Sequence, residues 1–339
     1  MRKPCAAARC WASSPSRPVT ALAHDVARAA RLLEAGELVA FPTETVYGLG
    51  ADAENPQAVA RIYAAKGRPA DHPVIVHVAA GASLQHWASA VPGFAQRLID
   101  TYWPGPLTLV LRKHPGVADA CAGGQDTLGL RCPSHPLAQA LLREFRGGRG
   151  GLAAPSANRY GRISPTTAQH VRDELGAAVA LVLDGGPCEV GIESTIVDCS
   201  RGHPVLLRPG IITRDALAHT LGMPVALPDA AAPRVSGSLA SHYAPRTPLV
   251  LHAHAQLGDA LARALHAGQR VGGMSFGPAP APMETWQVLG QTPREAAARL
   301  YSTLRALDAW GLDVLLAEAP PDGAAWDAVR DRLQRAAQR

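Results

Sequence analysis

Lysine is nearly missing from this chain. Of its 33 lysines and arginines only Lys3, Lys66 and Lys113 are lysines, so basic function must rest mainly on guanidinium groups. Aromatic residues make up 5%. No apolar run reaches bilayer-spanning length and no stretch has the form of a signal peptide, which points to a cytoplasmic chain with no membrane role. The six cysteines contain no C-x-x-C pair, which argues against a zinc ribbon or a thioredoxin motif; they read as reduced thiols. There is no G-x-x-x-x-G-K-[ST], so a P-loop is excluded. Neither H-E-x-x-H nor G-x-S-x-G occurs, and no Ser-His-Asp order is evident.

What remains is globular. The chain has 339 residues, 47% of them apolar and 18% charged, enough for two domains with separate cores. The net charge of +5 comes from scattered arginines, not tracts. It permits an anionic partner, weak RNA binding included, without requiring one.

Residues 1–20, basic and broken by prolines, read as a disordered extension. Residues 21–222 alternate short apolar strands with helices. Ala21 to Ala35 has helical periodicity ended by Gly36, and Leu38 to Phe41 is a buried strand. Asn55-Pro56 reads as an N-cap followed by proline at the first helical position. Further strands are expected at Val74 to Val78, Leu107 to Leu111, Thr127 to Cys132, Leu152 to Ala154, Val179 to Leu183, Thr195 to Asp198 and Val205 to Leu207. In the third of these Thr127, Gly129 and Arg131 share one face, and Leu128, Leu130 and Cys132 the other. Helices are expected from Ser134 to Phe145, Pro165 to Leu175 and Thr213 to Leu221. Residues 223–248, rich in proline and alanine, read as a linker. Residues 249–339 restart an alternation of strands and helices, a smaller Rossmann-like α/β domain. The fold class is therefore α/β, with one large mixed sheet and a second small one.

Two loops invite a phosphate. Gly48-Leu49-Gly50-Ala51-Asp52-Ala53 satisfies a loose G-x-G-x-x-G/A, but its glycines start seven residues after the strand and precede the helix signal, so dinucleotide binding is disfavoured. Lys66-Gly67-Arg68 is more telling. A compact ammonium and a forked guanidinium flank a glycine just after a helix, a pair suited to an anion with several oxygens. At strand ends, where open α/β sheets form their crevice, stand Thr43, His77, Thr127, Arg131, Ser156, Asn158, Ser194, Thr195 and Arg208. That inventory holds hydroxyls, amides and cations without a hydrolase-like nucleophile. It fits a nucleoside triphosphate and a small zwitterion, with catalysis by charge stabilisation.

The segments Phe41 to Gly50, Lys66-Gly67-Arg68, Trp103-Pro104-Gly105-Pro106-Leu107-Thr108, Ala154-Pro155-Ser156-Ala157-Asn158 and Gly191-Ile192-Glu193-Ser194-Thr195-Ile196 resemble, in order, the YrdC-like threonylcarbamoyl-AMP synthase family. Ser241-His242-Tyr243-Ala244-Pro245 and the second domain resemble its long two-domain form. The resemblance implies a YrdC-like twisted sheet. It also implies an enzyme joining L-threonine, bicarbonate and ATP into L-threonylcarbamoyladenylate and pyrophosphate, for threonylcarbamoyl modification of tRNA beside the anticodon, with later transfer machinery as partner. By motif position it assigns Lys66, Arg68, Ser156 and Asn158 to the catalytic phosphate site. Thr127, Ser164, Arg208 and Tyr243 would also face ATP. Thr43, His77, Arg131, the backbone at Ala154, and Ser194 would hold threonine. ATP is a substrate accompanied by Mg2+, the metal's ligands being unknown, and the linker is expected to act as a lid. Asp71-His72-Pro73 departs from the family's usual Asp-Asn-Pro, so an ATP contact at His72 would be carried by a ring that titrates near neutrality. Two other readings compete. A carbamoyl-adenylate enzyme of hydrogenase maturation would bring zinc-binding C-x-x-C pairs, which are absent. A silent RNA-binding module would not need the hydroxyls around the cations and would bind RNA in a salt-sensitive way.

Overall fold

A computed structural model describes residues 19–237 and 242–338, with side chains from residue 23 onward. The expected extension, up to residue 18, and Ser241 of the linker motif lie outside the described residues. The strands are β1 (Val39–Phe41), β2 (Gly48–Asp52), β3 (Val76–His77), β4 (Leu107–Arg112), β5 (Thr127–Arg131), β6 (Leu152–Ala153), β7 (Leu181–Val182), β8 (Thr195–Asp198), β9 (Val205–Arg208), β10 (Leu249–His252), β11 (Val271–Ser275), β12 (Trp286–Val288) and β13 (Val314–Glu318). The α-helices are α1 (Val19–Glu34), α2 (Pro56–Lys66), α3 (Gly93–Tyr102), α4 (Asp119–Ala122), α5 (Pro136–Glu144), α6 (Ala168–Leu175), α7 (Arg214–Leu221), α8 (Leu257–His266), α9 (Pro293–Asp308) and α10 (Asp327–Ala337). Among the described residues β1 to β9 form one mixed sheet in the order β7-β1-β2-β6-β3-β5-β4-β8-β9, and β10-β13-β11-β12 form a second, parallel one.

The register explains where polar side chains gather. His77 pairs with Arg131, Arg131 with Thr108, Thr108 with Ile196, and Ile196 with Arg208. One row across five strands thus carries a histidine, two arginines and a threonine on the same face. The alternate residues Leu107, Leu109, Leu128 and Leu130 face the other way, into a core shared with α2, α3 and α7. A further cluster packs α1 and α5 around Phe41.

Helix α2 is built to deliver two cations. The Asn55 side chain accepts the amides of Gln57 and Ala58 at 3.1 Å, Pro56 starts the helix, and Gly67 closes it at φ +62°. The Arg68 amide reaches back to the Tyr63 carbonyl at 3.0 Å, a Schellman closure that glycine alone adopts without strain. Lys66 continues the buried stripe of Ala58, Val59, Ile62 and Tyr63. A lysine therefore occupies a core position.

Several elements differ from expectation. Gly48–Asp52, read as loop, is strand β2, which also explains why its glycines form no phosphate turn. Helix α3 and strand β12 were not foreseen. Helix α1 starts two residues earlier than expected. A third apolar cluster crosses between the sheets: Val46, Ile163, Ile192 and Tyr243 pack with Leu300, Tyr301, Leu304 and Leu333 of α9 and α10. Gly191, at φ +78°, lies so close to α9 that an added Cβ would fall 2.4 Å from the Ala297 carbonyl oxygen.

Replacing Asn55 by Ala should lower stability by about 1 kcal/mol, seen as a lower urea midpoint with an unchanged slope. Asn55→Asp should keep the cap and nearly all of the stability.

Candidate active site

The sheet row, the loop after β1, the turn after α2, the loop after β6, the loop before β8 and the segment after α7 enclose one cavity. Its walls include Thr43, Arg68, His77, Arg131, Ala154, Ser156, Ser194, Arg208 and Tyr243. Nine residues expected in the site thus converge from positions 200 apart in sequence. Ser236, Gly237 and His242 close it from the segment read as linker. The space left is about 40 Å³.

The cations are held in different ways. Arg68 donates to the Pro73 carbonyl at 2.7 Å and to the Ser236 hydroxyl at 3.2 Å, and its Nε has no partner. Arg208 donates to the Ser194 carbonyl and hydroxyl, both at 3.1 Å, and to the Ser236 carbonyl at 2.9 Å. Both are buried, and among the described residues neither has a carboxylate within ion-pair distance. Burial presses the pKa of each below the usual guanidinium value. Arg131 instead pairs with Glu44 at 2.6 Å, and its Nε is left without a partner. The other Glu44 oxygen accepts the Ser134 amide at 3.0 Å. Glu44 was missed from sequence, although it sits between two site threonines.

Lys66 does not line the cavity. Its ammonium donates to the carbonyls of Ser156 and Asn158, each at 2.5 Å, and so fixes the loop that carries Ser156. Burial, then the nearby Arg68, pushes its pKa well down. Asn158 donates to the carbonyls of Arg159 and Arg162, and its Oδ1 is unpartnered. Thr43 accepts the amides of Thr45 and Val46 and donates to the Val46 carbonyl at 2.7 Å, a local turn at the cavity wall. The Ser194 and Thr108 hydroxyls share a bond of 2.7 Å. Thr127 lies on an adjoining small cavity that also touches Ser236. Ser164 stands behind the wall, donating to Glu193 at 2.6 Å. His72 is outside too, its Nδ1 3.1 Å from the Tyr160 hydroxyl. The backbone of Ala154 is tied to the Ile75 carbonyl at 3.0 Å through its amide.

One buried acid and two imidazoles set the electrostatics. Burial alone would raise the Glu193 pKa, but Arg332 and Arg208 and its hydrogen bonds hold it at about 2. Burial, helped by Arg131, drops His77 to about 3, and its Nδ1 is unpartnered. His77 is therefore a neutral ring beside a guanidinium. His242 is pushed down to about 3 in the same way, chiefly by burial.

Comparison with known proteins decides the family. The Sua5, yciO and yrdC family, described as telomere recombination, matches residues 31–210. The C-terminal domain of threonylcarbamoyl-AMP synthase matches residues 212–338. The threonylcarbamoyl-AMP synthase of Bacillus subtilis is 40% identical over 326 residues, 92% of each chain. The chain belongs to the threonylcarbamoyl-AMP synthase family. A synthase of Pyrococcus abyssi is 38% identical over 91% of this chain and 92% of its own. A structure of Pyrococcus abyssi Sua5 complexed with L-threonine superposes with a TM-score of 0.86, at 36% identity, covering 93% of this chain and 94% of that one. The mixed sheet with a smaller parallel sheet is thus the family's fold.

An imidazole kept neutral by burial gains its proton only on unfolding. Between pH 6.5 and 3 the unfolded chain binds more protons, so stability falls as the pH falls through that window. Thermal melts should drop steadily below pH 6.5, and His77→Gln should flatten part of that slope. A slope identical in both proteins would show that His77 is not the buried base described.

Proposed function

We propose that this chain makes L-threonylcarbamoyladenylate and pyrophosphate from L-threonine, bicarbonate and ATP, as a nucleotidyltransferase serving threonylcarbamoyl modification of tRNA. One observation carries the reading. Arg68 and Arg208 are buried at one cavity and, among the described residues, neither has a carboxylate at ion-pair distance, and Arg208 shares a sheet face with a neutral histidine and a third arginine. Buried unpaired cations are costly unless an anion completes them, and a triphosphate does so. The family's substrates match both halves of the cavity.

Each residue then has a physical task. Arg68 and Arg208 take phosphate oxygens, whose charge grows on the departing pyrophosphate. Lys66 holds Ser156 and Asn158 in place for the same group. Thr127 accompanies the nucleoside in the adjoining cavity, and Ser164 bears on the nucleotide through Glu193. Arg131 takes the threonine carboxylate, with Glu44 fixing its orientation and leaving Nε free to donate. His77, neutral, accepts from the threonine amine or hydroxyl. Thr43, Ser194 and the Ala154 backbone complete that end.

In the reaction the neutral amine adds to bicarbonate-derived CO2. The carbamate oxygen then attacks the α-phosphorus as pyrophosphate leaves. No enzyme-bound covalent intermediate is needed; the protein orients two small reactants, neutralises charge and keeps water out. Among the described residues no three His, Cys, Asp or Glu side chains converge. A magnesium ion therefore fits best as part of the nucleotide substrate, held by phosphate oxygens. Pockets for such ligands need about 300 Å³ or more, against about 40 Å³ here, so the segment bearing Ser236, Gly237 and Tyr243 must move aside to admit ATP. This supports the lid role. Bicarbonate, later tRNA-modifying partners, weak RNA binding and a cytoplasmic place belong to the same proposal. No described helix is long and apolar enough to cross a membrane.

Pyrophosphate release from ATP should require both L-threonine and bicarbonate. Arg68→Ala should cut kcat/KM by about a hundredfold or more. Release that ignores threonine, or none from the intact chain, would refute the reading.

A further inference from the structure

The ATP half of the cavity has a carboxylate in its wall. Glu193 stands immediately before Ser194 and lines the same cavity as Arg208 and Tyr243. A bare carboxylate there would repel a triphosphate, and at close range in a dry site the repulsion is large. The hydrogen bonds to its Oε2 come from the other domain. Glu193 Oε2 accepts from Arg332 Nε at 2.8 Å and from the Tyr301 hydroxyl at 2.9 Å. Its Oε1 accepts from Ser164 at 2.6 Å. Arg208, the nearest guanidinium of the first domain's row, donates to Ser194 and Ser236 instead.

Arg332 is fully buried on α10. Its NH1 donates to Asp331 at 2.6 Å, and its guanidinium sits 5.5 Å from the centre of the Tyr243 ring. Tyr243 also lies against Tyr301, ring centroids 5.5 Å apart. Its backbone has φ +63°, a conformation that a bulky residue keeps only when its surroundings enforce it. Gly191, two residues before Glu193, touches the backbone of α9 where a Cβ would not fit. The loop bearing Glu193 is thus pressed against the second domain by geometry as well as by charge.

We infer that Arg332 of the C-terminal domain is a positioning residue for ATP, acting through Glu193. It cancels the carboxylate's charge, aims that carboxylate at Ser164 and away from the phosphate space, and seats Tyr243 over the site. The second domain therefore completes the nucleotide half of the active site in trans to the first domain's sheet. The inference rests on the ATP reading above.

The test measures KM for ATP, KM for L-threonine, kcat and thermal midpoint in the intact chain, Arg332→Gln, Glu193→Gln and the double variant. Arg332→Gln should raise KM for ATP about tenfold or more, because it leaves a buried carboxylate uncompensated. KM for threonine should move less than about threefold. The double variant, with both charges removed, should return KM for ATP to within about threefold of the intact value, a coupling that a merely structural contact would not produce. An unchanged KM for ATP in Arg332→Gln overturns the inference. So does a double variant no better than the single one. If Arg332→Gln fails to fold, the double variant decides: it must fold and bind ATP, and failure of either overturns the inference. An intact chain that binds no ATP would instead sink the functional reading, which keeps the two failures distinct.

Discussion

A guanidinium taken out of water needs either a carboxylate or a ligand, and among the described residues this chain buries two, Arg68 and Arg208, with no carboxylate at ion-pair distance. Much of the local architecture follows from that constraint. The sheet must supply rigid positions, which the row from His77 to Arg208 does. Backbone carbonyls must absorb part of the charge, as those of Pro73, Ser194 and Ser236 do. The Ser236 hydroxyl reaches both the Pro73 carbonyl at 2.8 Å and Arg68, so the segment after α7 is drawn onto the cations. The same groups that make the cavity costly to build make it receptive to an anion.

Lys66 shows the same constraint used differently. Its ammonium is inside, but two carbonyls at 2.5 Å hold it. It spans from the end of α2 to the loop after β6, about ninety residues later in sequence. An arginine fork would not fit two converging carbonyls so compactly. That gives a physical reason for lysine at this position in a chain that otherwise uses arginine.

The parts of this design that the residue pattern reveals are local ones. Alternation through Thr127 to Cys132 separated the site face from the core face, and Asn55-Pro56 with Gly67 marked both ends of α2. Buried residues on both faces hid β2, since Gly48 to Asp52 shows no alternation, and α3 begins after Pro92 with no side-chain cap to announce it. Glu44 and Glu193 were readable only as motif letters. What makes them matter is a partner 87 or 139 positions away. The described residues between 223 and 248 show no period, and several of their contacts run outward to Arg68, Gln125 and α10. Lys66 carried one overlooked signal: it falls on the apolar stripe of its own helix.

Tyr243 ties these threads together. The residue holds a left-handed backbone between Arg332 and Tyr301, while Gly237, at φ +81°, passes its hydroxyl so closely that a Cβ would lie 2.3 Å away. A backbone held in that region costs about 1–3 kcal/mol, and the packing around Tyr243, that from α9 and α10 included, offsets it. Tyr243 is thereby seated by residues of α9 and α10 as well as by its own neighbours. Tyr243, which faces the cavity from the segment after α7, is thus set partly by the domain that contributes nothing to the row of the large sheet. The second domain is then best understood as the support against which Tyr243 is set, with the Glu193–Arg332 ion pair as a link between the two domains.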